Sequence, residues 1–138
     1  MENGFIWKIN GTSITAETPA DIDLSVTNTA EYIPAALYSL ISANQNDFGF
    51  HLGRNGAFDF PAVLSVKADA SCAGFMANLF WYDVENGVLQ CIQTVTVGGA
   101  FERSIPYADF TLSKGQDYFI AFGTESLNGR VIHTDGSI

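Results

Sequence analysis

Apolar residues recur at every second position along much of this chain, and this period of two restricts the folds that are open to it. Side chains of a β-strand point alternately to its two faces, so the pattern predicts strands with one apolar face. The clearest runs cover residues 5–9, 22–26, 48–52 and 62–66. The chain is therefore predicted to be built mainly from β-strands.

Further strands are predicted downstream, over residues 77–83, 88–97, 101–105, 108–112 and 117–122. Turn-forming pairs fall between the strands: Asn10-Gly11, Asn55-Gly56, Asn86-Gly87, Gly98-Gly99 and Lys114-Gly115. Many short strands at regular spacing indicate a sandwich or a barrel. With 138 residues and 47% hydrophobic residues, the chain can bury one continuous core. We therefore expect a single antiparallel β-sandwich module over residues 1–138, jelly-roll or immunoglobulin-like, with a frayed end over residues 134–138.

One segment, residues 34–43, departs from the alternation. Pro34 suits the first turn of a helix, and Leu37, Leu40 and Ile41 share one helical face. A single short helix is predicted here, lying over an edge or an end of the sheets.

The Asn86-Gly87 pair predicts a hairpin between residues 77–83 and 88–95. A two-residue loop would pair Tyr82 with Cys91, and a four-residue loop would pair Tyr82 with Leu89. Both registers predict the same two faces. The apolar face is predicted to be core and carries Asn78, Phe80, Tyr82, Leu89, Cys91, Gln93 and Val95. The mixed face carries Leu79, Trp81, Asp83, Val88, Gln90, Ile92 and Thr94.

The net charge of −9 bears on the choice of partner. Phosphate backbones and anionic lipids repel such a surface, so neither nucleic acid nor a membrane is expected as a partner. Polysaccharides, cations, neighbouring domains and other proteins stay open, and solubility alone also explains an acidic surface. No apolar run reaches the ~20 residues that span a bilayer, and residues 1–4 do not resemble a signal peptide. If the parent protein is exported, we expect this chain to be an excised module of it with a start Met added.

The sequence offers little catalytic or metal-binding chemistry. His51 and His133 are its two histidines, and no Gly-x-Ser-x-Gly motif or phosphate-binding loop occurs. We predict that the chain is not an enzyme and needs no cofactor. A structural calcium stays open at Asp21 with Asp23, or at Asp83 with Glu85 and Asn86. Cys72 and Cys91 either form one disulfide or remain buried thiols, and the apolar pattern around Cys91 favours the thiols.

Aromatic residues supply the candidate site, since a flat ring packs well against the C–H face of a sugar. Trp81 is predicted as the platform, with Asp83 and Gln90 on the same face to bind hydroxyl groups. Trp7 and Tyr107 are weaker candidates. The alternative is that Trp81 packs under the helix of residues 34–43, together with Leu79 and Ile92.

Four stretches resemble a module of exported clostridial surface and cellulosomal proteins from gut and rumen bacteria, which often carry dockerins. They are AGFMANLFWYD at 73–83 with GVL at 87–89, WKINGTSI at 7–14, FDFPAVL at 58–64, and DYFI at 117–120. The resemblance implies a non-catalytic extracellular β-sandwich, secreted or at the cell surface, beside carbohydrate-active or adhesive domains. We expect a carbohydrate-binding module. The alternative is a structural spacer or protein-interaction module of an adhesive or cellulosome-associated protein.

Overall fold

The structure is a computed structural model of the chain. It describes residues 5–9, 12–14, 26–27, 29–42, 44–52, 57–68, 70–98, 107–114 and 116–133. The strands of these ranges are β1 (Phe5–Ile9), β2 (Thr12–Ile14), β3 (Val26–Thr27), β4 (Phe48–Leu52), β5 (Ala57–Lys67), β6 (Met76–Asp83), β7 (Val88–Thr96), β8 (Tyr107–Lys114), β9 (Asp117–Gly123) and β10 (Val131–Ile132). The helix α1 (Ala35–Tyr38) lies between β3 and β4, and a 3-10 turn (Ala70–Cys72) precedes β6.

The strands form two antiparallel sheets. The four-stranded sheet has the order β2-β1-β5-β8, and the six-stranded sheet has the order β10-β7-β6-β9-β4-β3. The prediction of an all-β chain with one short helix near residues 34–43 is confirmed. The strand predicted over 22–26 overlaps β3 at Val26, while residues 22–25, the strand predicted over 101–105 and the tail from 134 lie outside the described residues.

Two apolar clusters cover the two faces of the six-stranded sheet. The inter-sheet cluster holds side chains from β4, β6 and β9 together with Leu64 and Val66 of β5 and Phe110 and Leu112 of β8. The helix-side cluster holds Phe80, Leu89, Cys91, Phe119, Ala121 and Ile132 of the same sheet with Ile33 and Leu37. Both faces of this sheet are therefore buried against other parts of the chain.

The helix is shorter than its sequence pattern suggests. Pro34 precedes the helix, and after Tyr38 the chain tightens, because the Leu40 amide donates to Leu37 and not to the residue four positions earlier. Leu37 is buried, but Leu40 is 43% exposed. The prediction that Leu37, Leu40 and Ile41 share one helical face therefore fails at Leu40, because the helix ends at Tyr38, although Ile41 still packs against the helix-side cluster.

The β6–β7 hairpin pairs as predicted, with Tyr82 opposite Leu89 and a loop of four residues between Asp83 and Val88. Gly87 has a φ of 65°, a left-handed conformation that glycine adopts without strain. A β-bulge then shifts the register, because Leu79 lies opposite Gln93 but Phe80 lies opposite Cys91.

The bulge changes the face of the residues that follow it. The Gln93 amide reaches Thr111 of the other sheet, where Nε2 donates to the Thr111 carbonyl at 3.0 Å and Oε1 accepts from the Thr111 amide at 3.1 Å. Val95 packs against the inter-sheet cluster, whereas Thr94 bonds to Asn78 on the helix side. The prediction that Gln93 and Val95 share a face with Phe80 is therefore wrong. Strict alternation does not anticipate an extra residue.

The sequence of residues 127–132, with its Asn128-Gly129 pair, allows a last short hairpin. In the structure Val131 and Ile132 pair with Gln90 and Leu89 of β7, so β10 is an edge strand of the six-stranded sheet. The segment before it is held by Asn78, which is 2% exposed. Its Oδ1 accepts from the Leu127 amide at 2.8 Å, and its Nδ2 donates to the Glu125 carbonyl at 3.1 Å.

Candidate functional site

Trp81 stands in a row of side chains that crosses the six-stranded sheet on its inter-sheet face. Phe50 lies opposite Tyr118, Tyr118 opposite Trp81, and Trp81 opposite Gln90. The Phe50 and Tyr118 rings are stacked, with centroids 5.2 Å apart and planes 13° from parallel. Both rings are completely buried, whereas Trp81 and Gln90 are only partly buried. The row thus opens toward solvent at its Trp81 end.

Trp81 packs against the inter-sheet cluster, as do Ile92 and the buried Leu79. The helix lies on the opposite face, where Leu37 belongs to the cluster of Phe80 and Leu89. The alternative that Trp81 packs under the helix is therefore wrong, although its sharing of a face with Leu79 and Ile92 is confirmed. That alternative assigned the helix to the wrong side of the sheet.

Asp83 lies at the end of β6 and is 7% exposed. Its Oδ2 accepts from Asn86 Nδ2 at 2.7 Å and from Gln90 Nε2 at 3.0 Å, and its Oδ1 accepts from the Asn86 amide at 3.3 Å. The Gly87 amide donates to the Asp83 carbonyl at 2.8 Å. The carboxylate therefore stabilises the hairpin loop and orients the Gln90 side chain.

The three predicted site residues are thus brought together. Gln90 faces Trp81 across the two strands, and Asp83 holds the Gln90 amide. Among the described residues, no group of three or more His, Cys, Asp or Glu side chains is placed to hold a metal ion. Asp21 and Asp23 lie outside those residues. Trp7 and Tyr107 belong to β1 and β8, and their side chains are outside the described part of the structure.

Both cysteines are free thiols and buried, in two different clusters. Cys72 belongs to the inter-sheet cluster and Cys91 to the helix-side cluster. Burial raises the pKa of the Cys91 thiol, and weak contacts with Thr94 and the Gln93 carbonyl partly offset this effect. Burial also raises the pKa of the Tyr118 hydroxyl above its usual range. These groups are suited to packing and not to nucleophilic chemistry.

A second group of polar side chains lies next to the Phe50–Tyr118 pair along β4 and β9, but on the helix side of the six-stranded sheet. His51 of β4 and Asp117 of β9 are opposite each other, and His51 Nδ1 is 2.7 Å from Asp117 Oδ1. The Tyr32 ring lies on the imidazole, with centroids 4.5 Å apart and planes 34° from parallel. Tyr32 is 54% exposed.

The alternation in residues 48–52 predicts that His51 lies on the face opposite Phe50, but it does not predict that Tyr32 and Asp117 meet His51 there. The three residues are far apart in the chain and meet through the β4–β9 register and the path of residues 29–33. Gly49, two residues before His51, is a local sign of this contact, because a glycine inside a strand often marks the close approach of another part of the backbone. A Cβ at Gly49 would lie 2.7 Å from the Ala30 Cβ, so the glycine allows the segment with Tyr32 to approach.

Within the described residues, no helix has the length and apolar character required to cross a membrane. Comparison of the chain with protein-family models, with curated proteins and with solved structures finds no match.

Proposed function

We propose that the chain is a non-catalytic module of a secreted or cell-surface bacterial protein, and that it binds carbohydrate at the open end of the aromatic row. In this proposal the two sheets pack face to face as a β-sandwich. The inter-sheet cluster supports this arrangement because it contains side chains from both sheets. The jelly-roll and immunoglobulin-like topologies both remain candidates. The resemblance to modules of clostridial surface and cellulosomal proteins supports the extracellular setting.

The observation that carries the binding proposal is the incomplete burial of Trp81. Its neighbours in the row, Phe50 and Tyr118, are completely buried, so Trp81 is the aromatic residue of the row that keeps some solvent exposure. A partly exposed aromatic ring has apolar surface in contact with water. When the C–H face of a sugar ring packs against it, this surface leaves water, which favours binding.

The polar neighbours of Trp81 have different roles in this proposal. The Gln90 NH₂ group donates to Asp83, so its carbonyl Oε1 is the atom that would accept a hydrogen bond from a sugar hydroxyl. Asp83 is a positioning residue, because its oxygens accept from the loop and from Gln90. Fixing the amide before the ligand arrives lowers the entropic cost of binding.

The second candidate function is a structural spacer or protein-interaction module. The hydrogen bonds of Asp83 support it, since they explain Asp83 and Gln90 by loop stabilisation alone. The packing of Trp81 against the inter-sheet cluster is also sufficient reason for a large side chain there. The two candidate functions differ in whether a ligand binds to the exposed part of Trp81.

Affinity electrophoresis in gels that contain soluble xylan, β-glucan, glucomannan or mucin glycans separates the two candidates. Trp81→Leu keeps apolar volume against the cluster but removes the flat ring, and Phe48→Leu makes a similar change in a partly buried ring of the same cluster. We expect Trp81→Leu to weaken retention by at least about tenfold while Phe48→Leu leaves it unchanged. Wild-type mobility that no polysaccharide retards would favour the spacer. Retention lost equally in both variants would indicate loss of packing and not of a platform.

A further inference from the structure

We propose that Tyr32, His51 and Asp117 form a second carbohydrate-binding subsite, distinct from Trp81. The inference rests on the proposed function for the class of ligand, but its residues, its face of the sheet and its test are separate. His51 and Asp117 directly adjoin Phe50 and Tyr118 in sequence, so their side chains point to the opposite face of the six-stranded sheet.

The imidazole of His51 is held by Asp117 through Nδ1. A carboxylate oxygen can only accept a hydrogen bond, so the 2.7 Å contact requires that Nδ1 of His51 carries the proton and donates it to Asp117. In the neutral ring Nε2 then carries the lone pair, which is able to accept a hydrogen bond from a sugar hydroxyl group. The carboxylate thus fixes both the tautomer and the direction of the ring.

An exposed aromatic residue, Tyr32, lies beside this imidazole. The Tyr32 ring contacts the imidazole, and more than half of the residue remains exposed, at 54%. The His51 and Asp117 side chains are 22% and 12% exposed. A flat apolar surface therefore adjoins a polar atom of fixed orientation, which is the combination that a pyranose ring with its hydroxyl groups requires.

A cationic ligand is the chief competitor, because aromatic rings and carboxylates both attract positive charge. Here Asp117 Oδ1 already accepts from the imidazole, and the Asp117 side chain is only 12% exposed, so little of the carboxylate is accessible to a cation. A neutral polyhydroxylated ligand meets neither restriction. We therefore assign the subsite to a neutral sugar.

Because the two subsites lie on opposite faces of one sheet, a single sugar ring cannot occupy both. Loss of one subsite should leave the other able to bind, with lower retention on a polymer that engages both. This separation makes the inference testable independently of Trp81.

The test uses ¹H–¹⁵N spectra of the whole chain during titration with xylohexaose, cellohexaose and mannohexaose. Tyr32→Ala removes the aromatic surface, and His51→Phe keeps a ring against Tyr32 but removes both nitrogens. Leu40→Ala is the control, in an exposed residue between α1 and β4. We expect the amides of residues 31–33, 51 and 117 to shift saturably in the wild type. Tyr32→Ala and His51→Phe should each raise the dissociation constant obtained from these shifts about three- to tenfold, while Leu40→Ala leaves it unchanged.

Several outcomes would overturn the inference. Wild-type shifts confined to residues near Trp81 would reject the second subsite and leave the proposed function standing. Shifts near Tyr32 that both variants retain would also reject it. Binding of a lysine or arginine oligomer at these residues, with no response to any oligosaccharide, would replace the sugar with a cationic ligand. Because the wild-type spectra map the site without any variant, a variant that fails to fold does not remove the test.

Discussion

Gly49 offers the sharpest test of how the chain segment before β4 packs on the six-stranded sheet. Residue 49 lies opposite Phe119 in β9, on the helix-side face, and its backbone is buried. A methyl group added there would meet the Ala30 Cβ at 2.7 Å, the Ala30 Cα at 2.9 Å and the Tyr118 carbonyl oxygen at 3.1 Å. Gly49→Ala is therefore predicted to force residues 29–33 away from the sheet.

The magnitude follows from these distances. Carbon atoms in contact are normally about 3.5–4.0 Å apart, so the segment would have to move by about 1 Å. Overpacking of this kind costs about 1–3 kcal/mol, and the lower chain entropy of alanine in the unfolded state returns about 0.5–1 kcal/mol. The difference is a net loss of about 0–2.5 kcal/mol in the free energy of unfolding, with a midpoint of about 1 kcal/mol, or about 4 °C in melting temperature for a chain of this size.

Gly123→Ala is a matched control, since Gly123 ends strand β9 of the same sheet and a Cβ there meets nothing within 4 Å. Urea unfolding followed by fluorescence should give Gly123→Ala a stability equal to the wild type or up to about 1 kcal/mol higher. Adding Ala30→Gly to Gly49→Ala removes the methyl–methyl contact, but the Tyr118 oxygen remains, so part of the loss should be recovered. If Gly49→Ala proved as stable as Gly123→Ala, the close approach of residues 29–33 to β4 would be wrong.

Three further predictions concern the interior. Phe80→Ala should lower the free energy of unfolding by about 3–5 kcal/mol in urea titrations, because Phe80 is completely buried in the helix-side cluster; a loss below about 1 kcal/mol would contradict its burial. Asn78→Ala should cost about 1–3 kcal/mol and increase hydrogen exchange at Leu127, whose amide would lose its acceptor; unchanged exchange would contradict that contact. Cys72 and Cys91 should react slowly with a disulfide reagent in the native protein and give two thiols in denaturant without reductant, whereas none would indicate a disulfide.

The sequence predicts the strand class well because the alternation is a local property of each strand. The β6–β7 pairing followed from Asn86-Gly87, which favours a tight connection whichever residues surround it. The position of the helix was also predictable, since Pro34 marks its start. What strict alternation could not predict is the side of the sheet on which the helix packs, because both faces of β6 and β7 carry enough apolar residues to be buried.

At the candidate sites, contacts within one hairpin could be predicted from the sequence, whereas contacts between distant strands could not. The proximity of Trp81, Asp83 and Gln90 depends on one hairpin, and a local pattern sufficed to predict it. The bulge that turns Gln93 toward Thr111 depends on one inserted residue, and no turn signal accompanies it. The Tyr32, His51 and Asp117 group depends on the pairing of β4 with β9, which are separated by 66 positions at His51 and Asp117. Such contacts are set by the packing of the whole fold.

The indole N–H resonance of Trp81 tests the central proposal most directly. The chain has two tryptophans, so two indole signals are expected, and Trp81→Phe assigns the one that disappears. Our account predicts that this signal shifts saturably when at least one of the soluble polysaccharides is added, while the Trp7 signal serves as the internal comparison. A Trp81 signal that stays fixed with every polysaccharide, in protein whose spectrum is otherwise folded, would contradict carbohydrate binding at the open end of the aromatic row.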